Sequence, residues 1–428
     1  MPELRQYQRE GVDWLVATIR QRGAALLADE MGLGKSCQAI AVAARLEVQC
    51  PLVVCPAIVL PHWLRQIELW NSPQAWRALS YEGFVRASKG SSKKIEPLGE
   101  HDLVIFDECH YLMTPGSQRS NAAKVFASGG VKYKLGLSGT PMTARPRDLW
   151  NPLDTLFRGA WGSWWWFTTR YCNGHYRSEP NAPRGRVWDT EGASHQAELH
   201  ERLSHVMLRR TKSEVLAELP PRTRVPIDVT LKTRPMLGGD IGSLGTRDAV
   251  SQALSNCEPL KIPASLSLVR ELLAEGARPL ILTTRKATAE GIAAELECPF
   301  VHGEIPAAQR RARIADAPVA VATMYSVTTG IDLVGFDCAI FVGLDWVPST
   351  LLQAEARIHR IGQDKPVTVY YLCAQGTVDE AVRARVIERL DTFSEIIGGG
   401  DEAALARDLS AQGDLLAQLL QDVKALHG

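Results

Sequence analysis

A glycine-rich loop between an apolar strand and a helix is the first feature of this sequence that could do chemistry. In LLADEMGLGKS, Gly32 and Gly34 would let backbone N–H groups approach phosphate oxygens, and a helix that begins near Lys35 would add its dipole. Lys35 would reach the β and γ oxygens, while the Ser36 hydroxyl would ligate Mg²⁺. Asp29 stands where the strict P-loop pattern has glycine. A glycine turn without function is the alternative, but the strand–loop–helix order favours a nucleoside triphosphate site.

An acidic pair follows another apolar run, in VIFDECHYL. Parallel α/β sheets place their ligands at the carboxyl ends of strands, so Asp107 would hold Mg²⁺ and Glu108 would orient and deprotonate a water. Such a pair can also simply decorate a helix N-terminus. Its position about 75 residues after the glycine loop makes the catalytic interpretation more specific. Ser138 and Thr140, in a polar turn after a third apolar run, are suited to sensing the γ-phosphate.

A third candidate group lies in QAEARIHRIGQ, much later in the chain. Gln353, Arg357 and Arg360 are spaced four and three residues apart, which predicts one face of a helix. Two arginines on one face usually form a solvated surface. Here they lie within a second set of apolar runs, of the same kind as the set that holds the glycine loop. That context favours arginine fingers that stabilise charge on a transferring phosphate across a cleft.

The elements that must position these residues come in two sets of short apolar runs, which alternate with amphipathic helix patterns. The first set comprises 26–28, 52–55, 103–106 and 135–137, and the second 280–283, 319–323, 339–342 and 368–372. Strands that are apolar on both faces and separated by helices predict parallel sheets covered on both sides. We therefore predict an α/β fold with lobe 1 at 1–144, a helical protrusion and the end of lobe 1 at 145–231, a linker at 232–258, lobe 2 at 259–390 and a C-terminal helical tail at 391–428.

Composition narrows the class of protein. The 428 residues are 45% hydrophobic and 22% charged, as expected for a globular chain with two or three cores. Lys and Arg number 48 and Asp and Glu 48, so any nucleic-acid contact would need a local basic surface. Nine cysteines without a CxxC pair indicate reduced thiols, and we see neither a signal peptide nor an apolar run of the ~18 residues that a membrane span needs.

Seven motifs in succession resemble those of the Swi/Snf-like ATPases of helicase superfamily two, and the resemblance extends over about residues 4 to 390. They are LRQYQREGVDWL, LADEMGLGKS, DECH, LSGTP, HVMLRRTKSEVLAELPPR, DWVPS and QAEARIHRIGQDKPVTVYYL. RYCNGH and YLCAQGTVDEAV are similar to stretches of the annealing-helicase subgroup. The resemblance implies two RecA-like lobes, ATP and Mg²⁺, and double-stranded or forked DNA as the partner. The implied activity is a DNA-dependent ATPase that translocates along duplex DNA and rewinds or remodels forks.

The resemblance also assigns residue roles. Gln8 would read adenine, and Gly330 and Asp332 would belong to the motif that couples DNA binding to hydrolysis, with Ser138 and Thr140. Arg357 and Arg360 would be the arginines of the second lobe. Two departures from the family pattern stand out. Cys109 replaces the usual Gly or Ala of the acidic motif, and Thr328 replaces the first glycine of the coupling motif.

Other features allow two interpretations each. Trp161 and the run 164–167 could form a base-stacking platform or the packed core of the protrusion. The basic residues between 209 and 224 could follow a phosphate backbone or form a solvated face. The spacing of Cys172 and His175, with His195, His200 and His205 nearby, allows a zinc site or ordinary structural residues.

Two other functions stay open. One is an RNA helicase of the same superfamily, and the other is a motor subunit that displaces a DNA-bound protein, with the tail as the candidate site for a protein partner. We expect no membrane association. The predicted location is the cytoplasm, with the nucleoid, for a prokaryotic or viral chain, and the nucleus for a eukaryotic one.

Overall fold

The computed structural model describes residues 3–89, 98–143, 145–179, 182–231, 247–328 and 333–410. The chain divides into two compact units. Unit 1 comprises residues up to 217 together with 392–400, and unit 2 comprises 218–391 and the residues from 401 onward. Within the described ranges, no helix has the length and apolar character needed to span a membrane.

Unit 1 is built from alternating strands and helices. Its strands are β1 (Ala24–Leu27), β2 (Pro51–Cys55), β3 (Arg77–Ser80), β4 (Leu103–Asp107), β5 (Tyr133–Leu137), β6 (His175–Ser178), β7 (Arg186–Asp189) and β8 (Met207–Leu208). Its helices are α1 (Gln6–Arg22), α2 (Lys35–Arg45), α3 (Leu60–Leu69), α4 (Tyr81–Ser88), α5 (Gln118–Ser128), α6 (Arg147–Leu156), α7 (Trp164–Tyr171), α8 (Gln196–Ser204) and α9 (Lys212–Val215).

Six of these strands form one parallel sheet in the order β3-β2-β4-β5-β1-β8. Successive side chains of a strand point to opposite faces. In β1, Leu26 therefore enters one hydrophobic core and Leu27 the other, and both are buried. This double burial explains why the strands read as continuous apolar runs. β6 and β7 form a separate antiparallel hairpin.

Unit 2 repeats the same architecture. Its strands are β9 (Arg222–Val229), β10 (Pro279–Thr283), β11 (Phe300–Val301), β12 (Ala320–Thr323), β13 (Cys338–Phe341) and β14 (Val367–Ala374). Its helices are α10 (Arg247–Cys257), α11 (Ile262–Ala274), α12 (Lys286–Leu296), α13 (Ala307–Ile314), α14 (Met324–Thr328), α15 (Pro348–Ile358), α16 (Val378–Ile397) and α17 (Asp401–Ser410). The end of α16, from Thr392, is counted with unit 1.

The sheet of unit 2 is also parallel, in the order β11-β12-β10-β13-β14-β9. Hydrophobic clusters cover both of its faces. The predicted α/β fold with two parallel-sheet lobes is therefore confirmed.

The structure differs from the predicted domain boundaries at three places. β9 lies within 145–231, which we expected to finish lobe 1, but it pairs with β14 over eight residues and belongs to the second sheet. The predicted linker 232–258 contains α10, while 232–246 lies outside the described residues. Residues 392–400, expected in the tail, belong to unit 1, because Phe393, Ile396 and Ile397 pack in its core. The tail from 411 onward lies outside the described residues.

Candidate active site

The glycine loop connects β1 to α2 at the carboxyl edge of the first sheet. Gly34 precedes the first helical residue, Lys35, and has φ 76°, in the left-handed region that favours glycine. A Cβ at this position would overlap the side-chain amide of Gln8, so glycine is also required by space. Gly32 has φ 90° as well. The loop geometry therefore follows from the two glycines that the sequence singled out.

Lys35 directs its amine back into this loop. Nζ donates to the backbone oxygens of Asp29, at 2.8 Å, and Glu30, at 3.3 Å. Burial lowers the pKa of Lys35, and the carboxylates of Glu108, Asp29 and Asp107 oppose that shift. The amine thus lies near the acidic pair predicted to carry hydrolysis. A phosphate here would supply an anion to a cation that the fold has partly desolvated.

Asp107 is the last residue of β4, and Glu108 follows with φ 50° and ψ 53°. Glu108 thus has a left-handed backbone, and its N–H donates to Asp107 Oδ1 over 3.0 Å. Trp63 Nε1 donates to Asp107 Oδ2 over 2.7 Å. Burial and the neighbouring Glu108 charge raise the pKa of Asp107, while the Trp63 hydrogen bond lowers it. A buried carboxylate of this kind favours a bound cation.

Glu108 belongs to a chain of polar contacts that reaches the third strand of the site. His110 Nδ1 lies 3.2 Å from Glu108 Oε2 and 3.0 Å from the Ser138 hydroxyl. The Thr140 N–H donates to the same hydroxyl over 3.2 Å. β4 and β5 are neighbours in the sheet, which brings these turns together. The structure therefore places the predicted sensor turn against the predicted base.

The turn also approaches the glycine loop. A Cβ on Gly139 would lie 2.7 Å from Met31 Cγ and 3.2 Å from Lys35 Nζ. Ser138 and Thr140 are both buried. The residues Lys35, Asp107, Glu108, Ser138 and Thr140, predicted from three separate motifs, thus form one cluster in unit 1.

Gln8 is held against the loop from α1. Its Nε2 donates to the Leu33 oxygen over 3.2 Å, and its Oε1 accepts the Arg5 N–H over 2.9 Å. The side chain is buried. These contacts fix the amide beside the glycine loop, and its role in reading adenine stays a prediction.

Asp29, the departure from the P-loop pattern, is explained by Arg210. Asp29 is fully buried, and Arg210 Nε donates to its Oδ1 over 3.0 Å while NH2 contacts Oδ2. Arg210 also donates to Gln38 Oε1 over 2.8 Å and to the backbone oxygen of Tyr7. One guanidinium therefore ties the loop to both α1 and α2.

In the basic run from 209 to 224, the arginines Arg210, Arg222 and Arg224 pair with carboxylates. They form neither a solvated face nor a free phosphate-binding surface. Arg210 is committed to Asp29. In unit 2, Arg224 forms a bidentate ion pair with Glu355, at 2.8 and 2.7 Å, and Arg222 lies 3.1 Å from Glu355. The carboxylates therefore neutralise the positive charge of the arginines that form the basic run in the sequence.

The second-unit candidates lie on and beyond α15. Gln353 and Arg357 are helical, and an Arg357 guanidinium nitrogen donates to the Thr328 oxygen. The helix ends at Ile358, because His359 adopts φ −93° and ψ 85°, and Gly362 follows at φ 100°. Arg360 therefore lies past the helix, and the prediction of a single helical face for all three residues was wrong. Gly330 and Asp332 lie outside the described residues.

The donors near the acidic pair fit Mg²⁺, a hard cation that takes oxygen ligands. Asp107 is a buried carboxylate in this cluster, and Ser36 lies in the first turn of α2 next to Lys35. In the described part of the chain, no group of three or more His, Cys, Asp or Glu side chains could hold a metal by itself. The zinc alternative at Cys172 and His175 thus has no ligand set there. A magnesium site would depend on phosphate oxygens as further ligands.

Comparison with known proteins identifies the class. Residues 7–95 and 89–235 match the SNF2-related domain, and residues 264–362 match the helicase conserved C-terminal domain. Because the first match covers more than half of the chain, the chain belongs to the SNF2-related family. The resemblance to the Swi/Snf-like ATPases of helicase superfamily two is thereby confirmed.

Individual relatives lie at moderate identity. The chain is 28% identical over 454 residues to the DNA annealing helicase and endonuclease ZRANB3 of Mus musculus, covering 95% of this chain and 42% of that protein. It is 30% identical over 428 residues to the SWI/SNF-related matrix-associated actin-dependent regulator of chromatin subfamily A-like protein 1 of Bos taurus, covering 91% and 44%. The chain thus spans less than half the length of these relatives. The Sulfolobus solfataricus SWI2/SNF2 ATPase core in complex with dsDNA aligns at 21% identity with a TM-score of 0.44, over 94% of this chain and 95% of that one.

Three site residues were missed by sequence reasoning. Trp63 lies on α3, with no nearby motif that would connect it to Asp107. His110 was visible in the sequence DECH, and its contact with Glu108 could have been suspected from the spacing of two. Arg210 could have been predicted in part, because a buried aspartate in place of the P-loop glycine needs a cationic partner.

Proposed function

We propose that this chain is a DNA-dependent ATPase that translocates along double-stranded DNA and rewinds or remodels forked DNA. The observation that carries the proposal is the convergence of Lys35, Asp107 and Glu108 at the carboxyl edge of the first parallel sheet, in a member of the SNF2-related family. ATP is the proposed substrate and Mg²⁺ the proposed metal.

Within this site, the Lys35 amine would neutralise phosphate charge, and backbone N–H groups of the glycine loop would donate hydrogen bonds to the remaining phosphate oxygens. Glu108 would take the proton of the attacking water, and the contact with His110 holds its carboxylate in place. Ser36 and Asp107 would hold Mg²⁺, which supplies charge neutralisation at the transferring phosphate. Arg357 and Arg360 remain candidates for arginine fingers of the second lobe.

The choice of forked DNA is supported by the relatives, of which one bears the name DNA annealing helicase. A motor that grips one strand of an intact duplex moves without separating the strands. Each restored base-pair step returns about 1.4 kcal/mol of stacking free energy, so rewinding is favourable once the obstacle is displaced. We therefore expect ATP-driven re-annealing or branch migration.

The first test is an ATPase assay with blunt duplex, forked DNA, single-stranded DNA and RNA in parallel. We expect stimulation by duplex and forked DNA, with Glu108→Gln as the inactive control. Stimulation by RNA alone would refute the proposal in favour of an RNA helicase.

The second test follows labelled strands on a fork and on a tailed duplex with and without ATP. Re-annealing or branch migration of the fork is the expected result, and the tailed duplex should stay intact. ATP-driven release of a strand from the tailed duplex would identify an ordinary unwinding helicase. A motor active on duplex DNA but inert on forks would favour displacement of a bound protein.

A protein partner at the predicted tail, residues 391–428, is a separate proposal. A pull-down with the full chain and with a chain ending at Ser410 would test it, since only the full chain should retain the partner. A location with the DNA of the cell follows from the proposed substrate, at the nucleoid or in the nucleus according to the organism.

A further inference from the structure

A group of aromatic and arginine side chains lies at the surface where α7 meets the β6–β7 hairpin of unit 1, with all members exposed except the half-buried Trp188. We call it the aromatic–arginine surface and define it as Trp165, Tyr176, Arg177, Arg186 and Trp188. Trp165 is 48% exposed and Tyr176 51% exposed, although large aromatic side chains gain most from burial. All four residues of β6 are exposed. The surface needs an explanation other than the core of the protrusion.

The sequence left two interpretations for the tryptophan-rich segment, and the structure divides the residues between them. Trp161 and Phe167 are buried in the hydrophobic core of unit 1. Trp165 and Trp166 are exposed. The packed-core interpretation therefore holds for the first pair and fails for the second.

The rings of the surface are held in a fixed stack. Trp165 lies on Trp188 with ring centroids 3.7 Å apart and an interplanar angle of 22°. Trp188 is anchored, because its Nε1 donates to the Thr168 hydroxyl over 3.1 Å. Tyr176 meets the edge of the same ring at 5.1 Å and 72°. Trp165 thus has one face covered by Trp188 and nearly half of its surface still open.

Cationic groups flank the rings. The Arg186 guanidinium lies 4.3 Å from the centroid of Tyr176, and its residue is exposed. Arg177 is also exposed and has its Nε 3.3 Å from Asp189. Flat aromatic faces next to guanidinium groups suit a ligand with its own flat rings and a negatively charged backbone.

We propose that the aromatic–arginine surface binds the unpaired strand of forked DNA, with nucleobases stacked on Trp165 and Tyr176 and phosphates near Arg177 and Arg186. In a duplex the base faces are already stacked on one another, so an unpaired strand fits this chemistry better. The proposal rests on the proposed function for the choice of DNA and assigns that substrate a second contact, distinct from the nucleotide site.

The test compares the Trp165→Ala/Tyr176→Ala double variant of the full chain with Leu69→Ala. Leu69 lies on α3 of the same unit and is 52% exposed, so it matches the loss of exposed apolar surface. Fluorescence anisotropy measures binding to labelled oligothymidine of about 20 nucleotides, blunt duplex and a fork. The double variant should bind oligothymidine about tenfold more weakly, since stacking contributes strongly for each base. Its affinity for blunt duplex and its duplex-stimulated ATPase rate should stay within about twofold of the parent, as should every value for Leu69→Ala.

Two further variants keep the test decisive if the double variant does not fold, as checked by its melting temperature. Trp165→Phe/Tyr176→Phe keeps the aromatic faces and should retain oligothymidine binding within about threefold. Arg186→Gln should weaken oligothymidine binding and reduce the salt dependence of that binding. Unchanged oligothymidine affinity in the alanine variant overturns the proposal, and so does an equal loss for duplex and oligothymidine. If no DNA stimulates the parent ATPase while oligothymidine binding depends on Trp165, the motor function fails and the surface stands.

Discussion

Replacing Arg210 by methionine tests whether the fold of the nucleotide site depends on a buried ion pair. Arg210 contacts both oxygens of Asp29, which is fully buried, and also contacts Gln38 and the Tyr7 oxygen. In Arg210→Met the carboxylate stays buried without its cation. Because Lys35 Nζ donates to the backbone oxygen of Asp29 over 2.8 Å, the position of the Lys35 amine should be disturbed as well.

Removing one partner of a buried pair costs about 3–5 kcal/mol of unfolding free energy. For a unit of this size, that corresponds to a fall in Tm of roughly 6 to 20 °C. Asp29→Asn in the same chain removes the stranded charge, so the double variant should regain about half of the loss or more. ATP affinity should fall in Arg210→Met.

Urea unfolding followed by tryptophan fluorescence is a suitable assay, since every tryptophan except Trp346 lies in unit 1. Arg9→Met, an exposed arginine on α1, serves as the control and should change stability by less than about 0.5 kcal/mol. A loss below about 1 kcal/mol for Arg210→Met would refute the reasoning. Strict additivity of the Asp29 and Arg210 substitutions would refute it too, because coupled neighbours are not additive.

The remaining predictions concern turnover and DNA binding. Lys35→Ala should weaken ATP binding and abolish hydrolysis, whereas Glu108→Gln should bind ATP without hydrolysing it. Nucleotide-binding titrations measure the affinity of each variant, and phosphate release measures its turnover. Near-normal turnover of Glu108→Gln would exclude Glu108 as the general base. Arg360→Lys should keep ATP and DNA binding but lower the ATP hydrolysis rate by up to about 10³-fold, since lysine lacks the two-pronged guanidinium group of arginine. Unchanged turnover in this variant would exclude the arginine-finger role of Arg360. DNA affinity should fall steeply with salt and vary little with sequence, as titrations at several salt concentrations would show; a strong preference for one short duplex would contradict this.

The sequence by itself determined the fold class and predicted the main residues of the candidate nucleotide site. Short apolar runs such as 103–106, separated by helix patterns, predict strands buried on both faces, and the polar residues that follow them are then expected at one edge of a parallel sheet. This pattern alone predicts that Lys35, Asp107 and Ser138 lie together at that edge. Gly34 was predicted from the sequence only as a glycine that lets backbone N–H groups approach a phosphate, and the structure adds that its backbone is left-handed.

Only the tertiary structure decided which arginine side chains are available to bind a ligand and which are paired with buried carboxylates. β8 pairs with β1 although about 180 residues separate them, and this pairing carries Arg210 to Asp29. Arg222 and Arg224 meet Glu355 by the pairing of β9 with β14 and the packing of α15. A sequence displays such arginines as a basic run, because it does not record which buried carboxylates the strand order will bring beside them. The same holds for Trp165 and Phe167, two residues apart on one helix, of which the fold exposes the first and buries the second.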